Sequence, residues 1–220
     1  MKKNASHYFL FAAVLFLFFV VFTVLVAVYD VRPIGPERSA VGFAAMNQCI
    51  FQRIGVNMAW YHLTDALGMV ALLFAFGFAV VGLGQLVKRK SLFRVDRTLL
   101  LLGCFYLLVL FCYFFFEQFP VNYRPVMSDG LLEPSYPSSH TLFAVCIMAT
   151  APLVFRRICP RRKKLCCAVR IFSVLLIVLI VVGRLLSGVH WFTDILGGLL
   201  LSAALVLLYC GAVAVFEQKK

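Results

Sequence analysis

Apolar runs separated by short polar connectors set the pattern of this chain. Residues 8–29, 60–86, 98–116, 141–155, 171–186 and 192–216 are almost unbroken stretches of Leu, Val, Phe, Ile and Ala. A strand crossing a membrane would alternate apolar and polar residues over short segments; these runs do not alternate. A helix needs about 20 apolar residues to cross the hydrocarbon core, and helices satisfy their own backbone groups there. The pattern therefore predicts an all-α polytopic membrane protein, a six-transmembrane-helix bundle. The chain is expected to form a single integral-membrane domain over 1–220.

Between the runs lie connectors of different character. Residues 30–58 are polar enough to leave the membrane. Pro33, Gly35 and Pro36 make a rigid turn there, and Ser39 is placed to cap a short helix running on through Gln52. Val41, Ala44, Ile50, Phe51 and Ile54 give that helix a partly apolar face, fit either for a lid over a site or for docking on the bundle. His62 and Asp65 open the second run; they are placed to extend the site, but polar groups at a helix start are commonly solvated, and the solvated reading is the favoured of the two. Residues 117–139 carry Pro120, Pro125, Pro134 and Pro137, which forbid a continuous helix. Ser138 or Ser139 then caps the fourth span. That puts His140 in a first helical turn, where backbone N–H groups bind anions.

Composition and charge sharpen this picture. Hydrophobic residues make up 63% of the chain and its mean hydropathy is +0.98, too apolar for a soluble domain. A net charge of +12 could imply nucleic acid, but its placement argues against that partner. Sixteen of the 21 cations lie before the first run, after the second, after the fourth or beyond the sixth. Counted that way the two faces carry about +14 and −2, so both termini are expected in the cytoplasm. The first run is too long for the core of a signal peptide, and no small-x-small cleavage site follows; it reads as an uncleaved span. Four of the eight cysteines, Cys104, Cys112, Cys146 and Cys210, fall inside apolar runs, and no Cys/His cluster marks a metal. Neither a cofactor nor a metal is called for. The expected partners are the bilayer and a membrane lipid.

Residues 183–198, GRLLSGVHWFTDILGG, gather a cation, an imidazole and a carboxylate between two apolar runs. Each ionisable group at bilayer depth costs roughly 2.5–3.5 kcal/mol, so the cluster calls for a function. His190 and Asp194 are four apart, which on a helix puts them on one face, the carboxylate supporting the ring. Arg184 offers a planar fork suited to phosphate oxygens.

Arg124-Pro125, Pro137-Ser138-Ser139-His140 and Arg184…His190…Asp194 all fall at one membrane face. Together they resemble the three-part signature of the type-2 phosphatidic acid phosphatase superfamily, whose site is similar to that of vanadium haloperoxidases. The resemblance covers 117–198. Ser139 stands where the family has Gly, Gly183 where it has Ser, and Glu117 where it has Lys. The resemblance implies that His190 attacks phosphorus to form a phosphohistidine and that Asp194 orients it. It implies that His140 acts as acid and base, and that Arg124, Arg184, the Ser138 hydroxyl and the Ser139 amide hold the phosphoryl oxygens. The implied activity is metal-independent hydrolysis of a lipid phosphate or diphosphate: a polyprenyl diphosphate, phosphatidic acid or phosphatidylglycerophosphate. A lipid phosphotransferase and a non-catalytic lipid-binding or transport protein on a degenerate scaffold are the alternatives. With the termini inside, the site faces the extracellular or periplasmic side. Pro120 separates Glu117 from Arg124, so Glu117 is expected to point away from the phosphate cradle.

Overall fold

The computed structural model describes residues 2–127 and 130–217, with side chains from Ala5 to Phe216. Asp129 and the lysines at 219 and 220, counted in the charge balance, lie outside them. Its helices are α1 (Lys2–Val28), α2 (Ala44–Ile54), α3 (Met58–Arg89), α4 (Arg97–Gln118), α5 (Ser139–Ile158), α6 (Lys163–Leu186) and α7 (Phe192–Glu217). All but α2 are long and apolar enough to cross a membrane. The protein is an all-α, six-span bundle.

An apolar sequence does not say which face of a membrane helix turns inward, because lipid and protein interior are alike to Leu. Packing decides it. In α1 the buried residues are Ala5, Ala12, Phe19 and Val26, seven apart, so one stripe runs down the helix against α7. Phe9 lies over Gly211 of α7, where a Cβ would stand 3.0 Å from its ring. The central helix is α5, which touches α3, α4, α6 and α7 and buries Leu142, Ala144, Cys146, Ile147, Met148, Ala151 and Val154. Its Thr150 hydroxyl returns a hydrogen bond to Cys146 O at 2.8 Å, so the polar group costs little inside the bundle.

The short helix does not start where Ser39 was expected to cap it. Ser39 closes a single 3₁₀ turn, Pro36–Arg38, and α2 begins at Ala44 after Phe43, which is left-handed at φ 48°. Arg32 and Val41 exchange backbone hydrogen bonds of 3.1 and 2.9 Å, which holds the chain extended past Ser39. Gly42 then runs so close to the end of α1 that any Cβ would strike Val26 O.

Three connectors interlock at one end of the bundle. Gly42 N–H donates to Asn122 Oδ1 (3.4 Å), Asn57 N–H to Ser187 O (3.0 Å), and Trp191 Nε1–H to Tyr123 O (2.8 Å). Buried Asn47 of α2 donates to Thr193 Oγ1 at 3.0 Å and accepts from Thr193 N–H at 3.3 Å. Of the two readings of α2, the structure bears out docking on the bundle. This interlocked end carries the chemistry.

Candidate active site

His190 sits in the turn between α6 and α7. Ser187 ends α6, and Gly188 at φ 67° takes a left-handed step with the Gly55 carbonyl pressed against it, a conformation and contact that no side chain allows. His190 therefore precedes α7 and is not helical, so its spacing to Asp194 is not that of two residues on one helix face. The pair still meets. Asp194 stands in the first turn of α7 and folds back: Oδ2 accepts from Trp191 N–H at 2.9 Å and lies 3.6 Å from His190 Nδ1. That is too long for a hydrogen bond. Asn122 Nδ2 donates to the other oxygen at 3.4 Å. His190 is buried, and neither ring nitrogen has a hydrogen-bond partner among the described residues. Burial pushes its pKa well below the ordinary value of 6.5, and Arg124 and Arg184 act in the same direction. At neutral pH the ring is uncharged and keeps a free lone pair.

The N-terminus of α5 comes up beside this turn. Ser138 is fully buried, its Oγ accepts from Thr141 N–H at 3.4 Å, and its own N–H donates to Asp194 O at 3.0 Å. That last bond ties the start of α5 to the start of α7. Gly197 makes the approach possible, since a Cβ there would stand 2.5 Å from the Tyr136 ring. Ser139 is the first residue of α5, and His140 follows in its first turn, as expected.

Arg184 comes from the last turn of α6 and is fully buried. Its Nη2 pairs with Asp65 Oδ1, and its guanidinium lies over the Tyr61 ring, 5.0 Å from the centroid. The same Asp65 oxygen lies 3.0 Å from His140 Nε2. Of its two readings, the structure gives Asp65 the less favoured one, a place inside the site. Tyr61 and Asp65, four apart on α3, line one face, and α3 lies against both α5 and α6. A hydrophilic pair at a helix start carries no signal of which helix will cover it. His62, its companion in the sequence, is exposed, with only the Tyr61 ring edge-on to it at 5.4 Å.

Arg124 completes the cluster from the proline-rich connector. Its N–H donates to Glu133 O at 3.0 Å and its Nη1 pairs with Glu133 Oε2 at 3.1 Å. Sequence reasoning missed Glu133, because only the pairing of Tyr123 with Pro134 brings the two arms of the connector together. Glu117 does not point away. It shares the lining of a small cavity with Ser135, Tyr136, Ser139 and His190. One turn of α4 is enough to bring it there, since Pro120 redirects the chain only after the glutamate.

The PAP2 superfamily model matches residues 101–216. The chain belongs to the PAP2 superfamily. Among solved structures it is similar to one described as the crystal structure of the first transmembrane PAP2 type phosphatidylglycerolphosphate phosphatase from Bacillus subtilis. The two share 21% sequence identity over 94% of this chain and 96% of that one, with a TM-score of 0.62. No curated protein matches it.

As a PAP2-superfamily member the chain has a lipid-phosphatase-like membrane fold. The fold brings Arg124, Ser138, Ser139, His140, Arg184, His190 and Asp194 to one end, and Asp65, Asn122 and Glu133 with them. Arg184 Nε and Nη1, Arg124 Nε and His140 Nδ1 are buried with no hydrogen-bond partner among the described residues, as are both His190 nitrogens. Unmet polar atoms are rare in a protein interior.

Proposed function

We propose that the chain is an integral-membrane lipid phosphatase that hydrolyses a lipid phosphate or diphosphate through a phosphohistidine intermediate. The observation that carries this reading is the group of unpartnered buried nitrogens on Arg124, His140, Arg184 and His190. They come from three segments and converge beside the N-terminus of α5. Phosphoryl transfer asks a protein mainly to position the reactants and to stabilise the equatorial oxygens. Arg124, Arg184, the Ser138 hydroxyl and the Ser139 amide supply that stabilisation. His190, held neutral, presents its Nε2 lone pair to phosphorus, with Asp194 Oδ2 beside Nδ1 to support the ring as it becomes positive. His140 gives a proton to the departing alkoxide and then takes one from the water that releases phosphate.

The lipid tail remains in the bilayer while the head group reaches this cluster, and polyprenyl diphosphate, phosphatidic acid and phosphatidylglycerophosphate fit that geometry. The basic connectors at the opposite end of the bundle support cytoplasmic termini and an extracellular or periplasmic site. A phosphate-release screen of purified protein against these lipids, with EDTA present, tests the reading. Release from at least one lipid, lost in His190→Ala, is the expected result. Equal release by the variant contradicts it.

A further inference from the structure

Two histidines meet at the site, and each has a carboxylate beside it. Asp194 is the aspartate of the sequence motif that holds His190. Asp65 comes from α3, outside the region that the family model matches and outside every motif quoted above. Its Oδ1 lies 3.0 Å from His140 Nε2 and also pairs with Arg184 Nη2. The contact is built, not incidental. Gly68, three residues on and on the same face of α3, lets the ring come close to the helix: a Cβ there would stand 3.3 Å from His140 Cδ2 and 3.8 Å from Nε2. The Cδ2–Nε2 edge of His140 is thus turned toward α3 and the carboxylate. The opposite nitrogen, Nδ1, is buried and has no hydrogen-bond partner. The other charged or titratable groups that act on the ring are Arg184, His190 and Arg124.

We propose that Asp65 is the positioning residue of His140: it holds the proton on Nε2 and so assigns Nδ1 as the nitrogen that exchanges protons with the leaving group and with water. The proposal rests on the phosphatase reading above. A hydrogen bond from one ring nitrogen to a carboxylate decides which nitrogen is free for chemistry. The proton balance closes with this assignment. In the first half, His190 Nε2 forms a bond to phosphorus, the P–O bond to the lipid breaks, and the alkoxide takes the proton from Nδ1 of a doubly protonated His140. What remains is neutral His140 with its proton on Nε2, facing Asp65. In the second half, a water oxygen bonds to phosphorus, the P–N bond breaks, and Nδ1 takes the water proton, which restores the starting ring. Asp65 stays a carboxylate throughout.

The test combines kinetics with a readout independent of turnover. Asp65→Ala is expected to lower kcat about 10- to 100-fold, the usual range for an outer partner that orients a functional histidine, while KM moves less than about threefold. Asp65→Glu should recover part of kcat. In a His140→Ala background, Asp65→Ala should cost less than about threefold more, because residues acting through one group are not additive. ¹⁵N-histidine NMR of the full-length wild-type protein in detergent, with His140→Ala for assignment and at a pH where the ring has lost its second proton, should find neutral His140 protonated on Nε2. That form should become mixed in Asp65→Ala or, if that variant does not fold, in Asp65→Asn. A wild-type ring protonated on Nδ1, or losses from Asp65→Ala and His140→Ala that multiply, would overturn the proposal. A wild type that releases no phosphate from any lipid would sink the phosphatase reading, and the NMR result would still decide the role of Asp65.

Discussion

Gly183 of α6 stands so close to Thr64 of α3 that a Cβ there would lie 2.5 Å from the threonine methyl and 3.1 Å from the Trp60 ring. This accounts for a departure from the family pattern, which has Ser at this position. The two helices approach where Tyr61 and Asp65 reach Arg184, one residue further on. A side chain at 183 would push α3 off α6 and loosen that grip. Gly183→Ser is therefore expected to destabilise the protein by about 1–3 kcal/mol, the range for overpacking a filled interior. Adding Thr64→Ala should recover much of the loss. Thermal melting of the three variants in detergent checks this, and a stable Gly183→Ser single variant would count against the packing.

The neutral, buried state of His190 has a consequence for acid stability. Its pKa lies well below 6.5 in the folded chain. Unfolded, the same ring takes up a proton as the pH falls through about 6.5. The unfolded state then binds more protons than the folded one, so stability drops with falling pH, by at most about 1.4 kcal/mol per unit from this group. The contribution is complete above the unfolded value and is lost as the pH falls toward the folded one. His190→Gln should flatten the fall in melting temperature between pH 6.5 and 5. An unchanged slope would mean that His190 titrates normally.

Glu117 lines the cavity beside His190, and among the described residues no cation pairs with it, Arg124 being paired with Glu133. A carboxylate in that position opposes a phosphate dianion. Glu117→Gln is predicted to lower KM several-fold while kcat stays within about tenfold, under about 1.4 kcal/mol in barrier. Glu117→Lys, which restores the residue of the family pattern, should lower KM further. Steady-state kinetics on one lipid substrate decide it; a collapse of kcat in Glu117→Gln would make the carboxylate a working member of the site.

Sidedness is open to direct labelling. Leu131, in the connector that carries Arg124, and Lys163, at the start of α6, are both exposed and belong to opposite ends of the bundle. Single cysteines at these positions in a cysteine-free background should react oppositely with an impermeant maleimide on intact cells. Labelling at 131 alone is expected. Labelling at 163 alone would reverse the topology.

The six spans were legible because a long apolar run has only one stable form in lipid. The motif residues were legible because charges inside such runs need a reason to be there. Asp65 and Glu133 were not. Each reaches the site through tertiary pairing, of α3 with α6 and of one arm of a loop with the other, and neither pairing leaves a local pattern in the chain. His190 and Asp194 were matched for the wrong reason: the i,i+4 spacing suits a helix, yet the residues meet across a turn closed by Trp191 N–H on Asp194 Oδ2. Ser39 had the chemistry of a cap but stood four residues before the cap position, Phe43, because the pairing of Arg32 with Val41 keeps that segment extended.

The central claim is that His190 carries the phosphoryl group. It is tested most directly by incubating purified protein briefly with a lipid labelled in its phosphate, denaturing it at alkaline pH, and measuring label bound to the chain. Wild type should retain acid-labile, alkali-stable label, mapping to the peptide that contains His190. His190→Ala should retain none, and His140→Ala, which forms the intermediate slowly and hydrolyses it slowly, should still hold some. Phosphate release by wild type with no trapped label, or label that persists in His190→Ala, would contradict the account.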